Sequence, residues 1–278
     1  MDAQPESPVA ALAAILAAER RRLAAAEQAA PLARLRARAA ERKPRDFVAA
    51  LRAGRENPAG LAIIAEIKQA SPSRGLLRTE LDVAAIAQAY AGAGAAALSV
   101  LTEGPHFRGD LAYLDVARRA CPLPILRKDF TVTEYQIWEA AANGADAVLL
   151  IVAILRDDRI HVLLRTAGEA GLAALVEVHD AAELRRAKAA LSAAPDTAAL
   201  VGVNNRDLKT FQVNPARALE LAAELPAGVV AVAESGLRRR EDLRRAAAAG
   251  YGAALIGERF MTAADPGAAL AELLEARD

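Results

Sequence analysis

From about residue 61 onward, short apolar runs alternate with helix-like segments, and this alternation constrains the fold more than any other feature of the chain. Short runs rich in Ile, Val, Leu and Ala are typical of strands that are buried on both faces. Several of the helix-like segments end in glycine just before the next run, as expected at a helix C-terminus. We predict eight strands, at 61–67, 95–101, 123–128, 146–151, 172–177, 198–203, 228–233 and 252–257.

Eight strand–helix units predict an α/β fold, the (β/α)8 or TIM barrel, for which roughly 250 residues is typical. A doubly wound sheet would have fewer strands and a glycine-rich dinucleotide loop, and no GxGxxG follows the first run. Residues 8–55 favour an N-terminal helical extension, interrupted at Pro31 and Pro44, with Asp46 as the N-cap of its last helix. We expect residues 1–278 to form a single barrel domain that includes this extension.

The composition excludes several classes of protein. The formal net charge is zero at pH 7, so neither nucleic acid nor a membrane surface is an expected partner. A single cysteine, Cys121, excludes an intramolecular disulfide and a cysteine-based metal cluster. No uncharged apolar stretch reaches the roughly 20 residues of a membrane span, and the first ten residues lack the features of a signal peptide. We expect a cytoplasmic monomer.

Charged and polar side chains repeatedly follow the apolar runs. A charge inside a buried strand is costly to desolvate, whereas the C-terminal ends of the strands of a barrel form its catalytic face. The pattern therefore predicts that these groups converge on one site. They are Glu66 and Lys68 after strand 1, Lys128 after strand 3, Glu177 after strand 5, Asn204 and Arg206 after strand 6, and Glu234 after strand 7.

The first of these strand ends carries two opposite charges. Glu66 and Lys68 are two residues apart, so in an extended strand both side chains face the same way. The following loop, which begins at Ser71, contains two serines and a glycine and suits anion binding or closure over a ligand. A Glu–Lys pair that only caps the barrel is the alternative interpretation.

Lysine is rare in this chain: it occupies five positions, and the other 30 of the 35 basic residues are arginine. Lys68 and Lys128 at strand ends therefore indicate a need for an ammonium, which exchanges a proton where a guanidinium does not. Arg127 and Lys128 should point to opposite sides of the third strand, one of them towards the barrel axis. Phe130 shares the parity of Lys128 and is a candidate apolar wall beside it.

The remaining strand ends suggest acid–base chemistry and anion binding. Glu177 lies between valines, a setting expected to raise its pKa and make it useful near neutrality; a structural partner for a lysine is the alternative. Arg206 offers an anion-binding guanidinium beside the amide of Asn204. Gly236 and Gly257 follow strands 7 and 8, where barrels commonly hold a phosphate. The three histidines lack metal-ligand spacing, and we predict neither a metal nor a cofactor.

At these residues the chain resembles the indole-3-glycerol-phosphate synthase family over nearly its whole length, including the N-terminal extension. It departs from the family's commonest pattern at Arg74, where lysine is frequent, at Asp110, where serine is frequent, and at Glu258, where smaller residues are common. The motifs that carry the resemblance occur in the family's order: IIAEIKQASPSRG, LSVLTE, ILRKDF, NGADAVLLI, LVEVH, VGVNNRDLKTF, AESGL and LIGERFM.

This resemblance implies a carbon–carbon lyase (a carboxy-lyase) of tryptophan biosynthesis. Its substrate would be 1-(2-carboxyphenylamino)-1-deoxyribulose 5-phosphate, which closes to indole-3-glycerol phosphate with loss of carbon dioxide and water. No cofactor is implied. Contacts with other enzymes of the tryptophan pathway are the partner interactions that the resemblance implies.

The resemblance also implies roles for individual residues. Lys128 would be the general acid of ring closure and Glu177 the base of dehydration. Lys68 would be either the acid of dehydration or a contact for a substrate anion. Glu66 and Asn204 would orient the lysines and the hydroxyls. The substrate-binding residues would be Ser71, Gly236 and Gly257 near the phosphate, Phe107 and Phe130 beside the anthranilate ring, Arg206 at an anionic group, and Leu208, Glu234 and Ser235 in the same site.

Two alternatives are weaker. A phosphoribosylanthranilate isomerase is expected to carry a cysteine base at the end of strand 1, where this chain has Glu66 and Lys68, and Cys121 precedes strand 3. A barrel retained only as a binding or scaffolding subunit would not need a complete set of charged strand ends.

Overall fold

The computed structural model describes residues 8–275 and contains a closed barrel of eight parallel strands surrounded by helices. The predicted (β/α)8 fold is therefore confirmed, and every strand lies within two residues of its predicted bounds. The expectations for residues 1–7 and 276–278 lie outside the described residues. The strands are β1 (Ala62–Ile67), β2 (Ala97–Leu101), β3 (Ile125–Lys128), β4 (Ala147–Ile151), β5 (Ala173–Val178), β6 (Ala199–Asn204), β7 (Val230–Glu234) and β8 (Ala253–Ile256).

The helices begin where the sequence offers caps. Asp46, Asp82, Asp180 and Asp265 each accept a hydrogen bond from the backbone three residues on, which satisfies a free N–H of the first turn. The helices of the extension are α1 (Pro8–Ala29), α2 (Leu32–Ala40) and α3 (Phe47–Ala53). Those of the barrel are α4 (Val83–Gly92), α5 (Ala112–Ala120), α6 (Glu134–Ala142), α7 (Asp157–Glu169), α8 (Ala181–Ser192), α9 (Arg217–Leu221), α10 (Arg240–Ala248), α11 (Glu258–Met261) and α12 (Pro266–Leu274).

Consecutive strands pair in parallel, and β8 closes onto β1 through pairs that run from Ala62 with Ala253 to Ala65 with Ile256. Alternate residues point inwards, so each strand contributes to a packed core inside the barrel and to a second core beneath the helices. The interior core includes alanines at the beginning of five strands: Ala62, Ala97, Ala147, Ala173 and Ala253.

The third helix of the extension closes the barrel at the N-terminal ends of the strands. Phe47 and Leu51 are buried and belong to the interior core together with the alanines that begin the strands. Because those alanines are small, the two larger side chains of α3 fill the space that remains.

The first helix of the extension lies at the opposite end. Its Leu12 and Ile15 line the cavity at the C-terminal ends of the strands. Arg22 donates to Glu139 of α6 at 2.9 and 2.8 Å, and the hydroxyl of Tyr135 donates to the carbonyl of Ala26 at 2.8 Å. Charge and hydrogen bonds therefore tie α1 to the barrel. Among the described residues, no helix combines the length and the apolar character needed to cross a membrane.

Candidate active site

A cavity of about 470 Å³ opens at the C-terminal ends of the strands. All the predicted site residues line it, although they come from seven separate segments of the chain. Two further lining residues, Leu12 and Ile15, were not predicted; α1 contributes them as a cover. The predicted residues are Glu66, Lys68, Ser71, Phe107, Lys128, Phe130, Glu177, Asn204, Arg206, Leu208, Glu234, Ser235, Gly236 and Gly257.

Lys128 lines the cavity together with Glu66, Glu177 and Glu234, and we call these four largely buried side chains the floor. Its Nζ donates to Oε2 of Glu177 at 3.1 Å and lies 3.8 Å from Oε2 of Glu234. Burial alone would lower the pKa of this ammonium, but the carboxylates of Glu177, Glu234 and Glu66 outweigh burial and raise it above its usual range. Lys128 is therefore protonated before substrate binds, as a general acid must be.

The expectation that the apolar setting raises the pKa of Glu177 is wrong. Burial does favour the neutral form, but the ammonium of Lys128 and the ring of His179 outweigh it and lower the pKa below the usual range for a glutamate. The flanking valines belong to the same strand, whereas Lys128 reaches the carboxylate from two strands away. Glu177 is consequently ionised, the state that a proton acceptor requires.

His179 is a functional candidate that the sequence analysis missed. Its Nε2 lies 3.4 Å from Oε1 of Glu177, and its Nδ1 lies 3.0 Å from Oε2 of Glu183 on α8. Burial lowers its pKa, but the two carboxylates outweigh burial and raise it to about 9. A signal was available, because Glu177 and His179 are two residues apart at the end of β5, with the same spacing as Glu66 and Lys68 at the end of β1.

On the floor, the pKa of the Glu234 carboxyl group is raised well above its usual range. Burial and the nearby charge of Glu177 favour its neutral form, and Lys128 only partly compensates. The floor of the cavity thus holds neighbouring carboxyl groups in different protonation states, which is the usual sign of separate acid and base roles.

Two glycines, one within β6 and one directly after β8, make room for the buried carboxyl groups. A Cβ at Gly202 of β6 would overlap Oε1 of Glu234 and lie 3.3 Å from its Cδ. A Cβ at Gly257 would overlap Oε1 of Glu66 and lie 2.9 Å from its Cβ. Gly257 therefore lies against the carboxylate of Glu66 and also lines the cavity. The sequence analysis predicted only a place near a phosphate and not the contact with Glu66.

Glu66 and Lys68 form the predicted pair, with Nζ donating to Oε1 at 2.5 Å. The hydroxyl of Ser99 donates to the other carboxylate oxygen at 3.5 Å. Both members of the pair line the cavity, so the pair contacts the space where a ligand binds.

The third strand separates its two cations as predicted. Lys128 faces the cavity, whereas Arg127 is 1% exposed and lies among the helices. Arg127 donates to Asp129 and to Glu139, both at 2.9 Å. Because Glu139 also accepts from Arg22 of α1, a buried ion-pair network joins the cover of the cavity to the strand that carries the central lysine.

Two aromatic rings form one wall of the cavity. The ring centroids of Phe107 and Phe130 are 6.2 Å apart and tilted by 45°, a separation typical of an attractive aromatic pair. Leu12, Ile15 and Leu208 lie in the same cavity, so this part of it is apolar.

The rim of the cavity is a cluster of arginines around Glu258, the first residue of α11. Arg74 and Arg238 reach its Oε1 at 3.0 and 3.1 Å, and Arg206 reaches its Oε2 at 3.4 Å. Arg206 was predicted to bind an anion, and in the structure its guanidinium pairs with the carboxylate of Glu258.

The turn after β7 has an unusual backbone. Ser235 and Gly236 both adopt left-handed conformations, with φ of 64° and 78°. A non-glycine residue in this region is uncommon and often marks a functional site. Asn205 supports the turn, since its side chain donates to the carbonyl of Ser235 at 3.0 Å.

The fold and the site together define a (β/α)8-barrel enzyme whose acid–base groups converge at the C-terminal ends of the strands. The described side chains include no group of three or more His, Cys, Asp or Glu that could hold a metal ion. The family model described as "Indole-3-glycerol phosphate synthase" matches residues 12–273. The chain belongs to this family.

Individual relatives agree with this assignment. An indole-3-glycerol phosphate synthase of Albidiferax ferrireducens is 52% identical over 260 residues, covering 93% of this chain and 96% of its own length. One from Laribacter hongkongensis is 51% identical over 262 residues, with coverages of 93% and 97%.

Solved structures show the same fold at low sequence identity. A thiamine phosphate pyrophosphorylase of Pyrococcus furiosus aligns with a TM-score of 0.55 and 17% identity, covering 77% of this chain and 93% of its own. A tryptophan synthase alpha chain of Legionella pneumophila aligns with a TM-score of 0.55 and 13% identity, with coverages of 82% and 92%.

Proposed function

We infer that this chain catalyses the reaction of its family, the decarboxylating ring closure that gives indole-3-glycerol phosphate in tryptophan biosynthesis. The substrate is a small phosphorylated molecule, 1-(2-carboxyphenylamino)-1-deoxyribulose 5-phosphate. The observation that carries this inference is the protonated Lys128 beside the ionised Glu177 in one cavity. Such a pair provides the proton donor and the proton acceptor that the chemistry requires.

Ring closure is the first step. The aryl carbon that bears the carboxylate attacks the C2 ketone, and the ketone oxygen takes a proton as the carbon–carbon bond forms. We assign this donation to Lys128, because its ammonium lines the cavity beside the carboxyl groups of Glu177 and Glu234. Carbon dioxide then leaves, and its bonding electrons restore the aromatic ring.

Dehydration is the second step. The hydroxyl formed by ring closure takes a proton and leaves as water, and a carbon-bound proton is then removed to give the indole. Glu177 is our proposed base, since its carboxylate is ionised and faces the cavity. Lys68 is available as the acid or as an anion contact, with Glu66 fixing its position at 2.5 Å and Asn204 orienting the hydroxyls.

We propose that the apolar and the polar parts of the cavity bind different ends of the substrate. We place the anthranilate ring beside Phe107 and Phe130, where the wall is apolar and excludes water from developing charge. The phosphate end belongs at the loops after β7 and β8, the usual phosphate site of this fold. Its proposed contacts are Ser71, Ser235, Gly236, Gly257 and the guanidinium of Arg206, with Leu208 and Glu234 completing the site.

We also propose that the extension and the barrel act as one domain, because Arg22 and Glu139 join them and α1 completes the cavity. A monomer is the simplest assembly, since the exposed large apolar side chains of the described surface are scattered; contacts with other enzymes of the pathway would then be weak. A phosphorylated substrate does not cross membranes freely, which favours the cytoplasm. Light scattering of the purified protein would test the assembly.

The experiment that tests the function is direct. The purified protein is mixed with the carboxyphenylamino-deoxyribulose phosphate, and the rise of indole fluorescence is followed without any added cofactor. We expect turnover by the wild type. A folded wild-type protein that produces no indole would rule out the proposed function.

A further inference from the structure

The proposed reaction consumes more protons than it releases, and this imbalance draws attention to Glu234. The ketone oxygen and the departing hydroxyl each take one proton, whereas the final step returns one. If Lys128 makes the first donation, it is a neutral amine before Glu177 has accepted anything. A group other than Glu177 must therefore restore Lys128 if it is to be an ammonium again before dehydration.

Glu234 is the group placed to do so. Its Oε2 lies 3.8 Å from Nζ of Lys128. Its other oxygen, Oε1, is buried and has no hydrogen-bond partner among the described residues. The side chain is 2% exposed, so a negative charge on it would be poorly solvated.

The charges around Glu234 also favour the neutral form. Three elements present charged groups to it: Glu177 from β5, Lys128 from β3 and Glu66 from β1. Lys128 is hydrogen-bonded to Glu177, and Glu66 is paired with Lys68. Glu234 therefore shares Lys128, 3.8 Å away, with Glu177, which lies nearer to that ammonium at 3.1 Å.

Gly202 creates the space that Glu234 occupies. Gly202 pairs with Glu177 on one side and with Val232 on the other, so it lies between the two strands that carry the carboxyl groups. Any larger residue there would overlap Oε1 of Glu234. The absence of a side chain at Gly202 thus allows Glu177 and Glu234 to share the floor.

We propose that Glu234 rests in the site as a neutral carboxylic acid and passes its proton to Lys128 between ring closure and dehydration, from the space left by Gly202. This inference rests on the proposed function for its kinetic part only. Glu234 acts through Lys128 and not on the substrate, so it is a positioning residue that returns Lys128 to its protonated state.

The proton transfers balance over a turnover. The O–H bond of Glu234 breaks and an N–H bond forms on the neutral amine of Lys128, leaving Glu234 as a carboxylate. When Glu177 has taken the carbon-bound proton in the last step, it passes that proton to Glu234 and becomes a carboxylate again. The whole reaction consumes one proton. Solvent supplies it to the lysine, Lys68 or Lys128, that protonated the departing hydroxyl.

Infrared spectroscopy tests the resting state without any substrate. We expect a carboxylic-acid C=O band at neutral pH in the wild-type protein that disappears in Glu234→Gln. Glu19→Gln is the matched control, because Glu19 is another buried carboxyl group whose pKa is raised, and it should keep this band. Absence of the band, or its loss in Glu19→Gln alone, would overturn the proposal. This measurement stands even if the protein forms no indole, so its failure differs from failure of the proposed function.

Kinetics test the transfer itself. In a single turnover of Glu234→Gln we expect carbon dioxide to be released at close to the wild-type rate, because Lys128 starts protonated. Indole formation should be slower by at least about tenfold, a modest loss for proton transfer, with KM little changed. Equal slowing of both products would indicate only a structural role and contradict the proposal.

The pH dependence gives an independent readout. The active form of Glu234 is protonated, so indole formation should fall as pH rises through its raised pKa, and Glu234→Gln should lack this fall. Gly202→Ala offers a second variant that changes no ionisable group. If it folds, it should reproduce the slow indole formation, and wild-type kinetics in this variant would be evidence against the role of the space at Gly202.

Discussion

The floor and the rim of the cavity are both built from opposite charges, but the charges of the floor are buried and those of the arginines at the rim are exposed. On the floor, the side chains of Lys128, Glu177 and Glu234 are 15%, 1% and 2% exposed. At the rim, Arg74 and Arg238 are 55% and 68% exposed around Glu258. Coulomb interactions are strong where water is excluded and are screened by salt where it is not. We therefore expect the floor to fix where protons reside and the rim to attract and release an anion.

The largest expected effect comes from breaking the floor at its centre. Lys128→Met should lower kcat at least about a hundredfold, since it removes the proton donor of ring closure. Both carbon dioxide release and indole formation should stop together in a single turnover. Lys128→Arg keeps the charge but holds its proton too tightly to donate, so it is the matched control and should be nearly as slow. Near-normal turnover in either variant would refute the assignment of Lys128.

A second substitution on the floor should separate the two steps. Glu177→Gln removes the proposed base of dehydration and leaves the acid of ring closure in place. We expect indole formation to fall by about a hundredfold while carbon dioxide is still released in the first turnover. Rapid mixing that follows both products would show this, and simultaneous loss of the two would place Glu177 in ring closure instead.

His179 supports the floor from behind, and its removal should have a smaller effect that depends on pH. A histidine whose pKa is raised to about 9 from 6.5 in the folded state stabilises the fold fully below about pH 6.5 and loses that contribution as pH rises through 9. The unfolding free energy of His179→Gln should therefore be lower than that of the wild type by about 1–3 kcal/mol at acidic pH, and the difference should shrink towards pH 9.

Two further observations sharpen this prediction. Loss of the imidazolium removes one of the charges that lower the pKa of Glu177, so the acidic limb of kcat/KM should move to higher pH. His161→Gln on α7, which does not line the cavity, is the control and should leave the acidic limb unchanged. A pH-independent difference in stability for His179→Gln would mean that the ring only fills space.

The smallest effect is expected at the rim. Glu258 pairs with three guanidiniums at the proposed phosphate end, so Glu258→Gln should free them and lower the inhibition constant of inorganic phosphate by a few fold. Exposed pairs are worth roughly 0.2–1 kcal/mol, and 0.5 M salt should remove most of the gain. Glu241→Gln, which breaks the exposed pair with Arg245, is the control. Weaker phosphate binding in Glu258→Gln would contradict this account of the rim.

The sequence predicted the architecture and the membership of the site better than the state of its groups. Periodicity and strand ends are local properties, which is why the barrel and the convergence of Glu66, Lys128 and Glu234 followed from them. The pKa of Glu177 is not local. It depends on Lys128 of another strand and on the geometry of His179, so the flanking valines gave the wrong direction.

The sequence also did not show where the structure leaves room for a buried side chain or where α1 covers the cavity. A glycine within a strand usually suggests a bulge or a close approach of backbones, and nothing in the chain indicated that Gly202 accommodates the carboxyl group of Glu234. The cover formed by Leu12 and Ile15 was equally hidden, because a helical pattern does not show which end of a barrel a helix lies on. Rim residues such as Glu258 were noted only as departures from a pattern.

The course of the N-terminal extension has a practical consequence for anyone who shortens this protein. The extension reaches both ends of the barrel: α1 covers the cavity, and α3 fills the base with Phe47 and Leu51. Deleting all of it would open both ends, so lost activity in such a fragment would say nothing about the cover. Expression from Pro31 onwards would keep the base closed while exposing the cavity, and would turn an ambiguous truncation into an informative one.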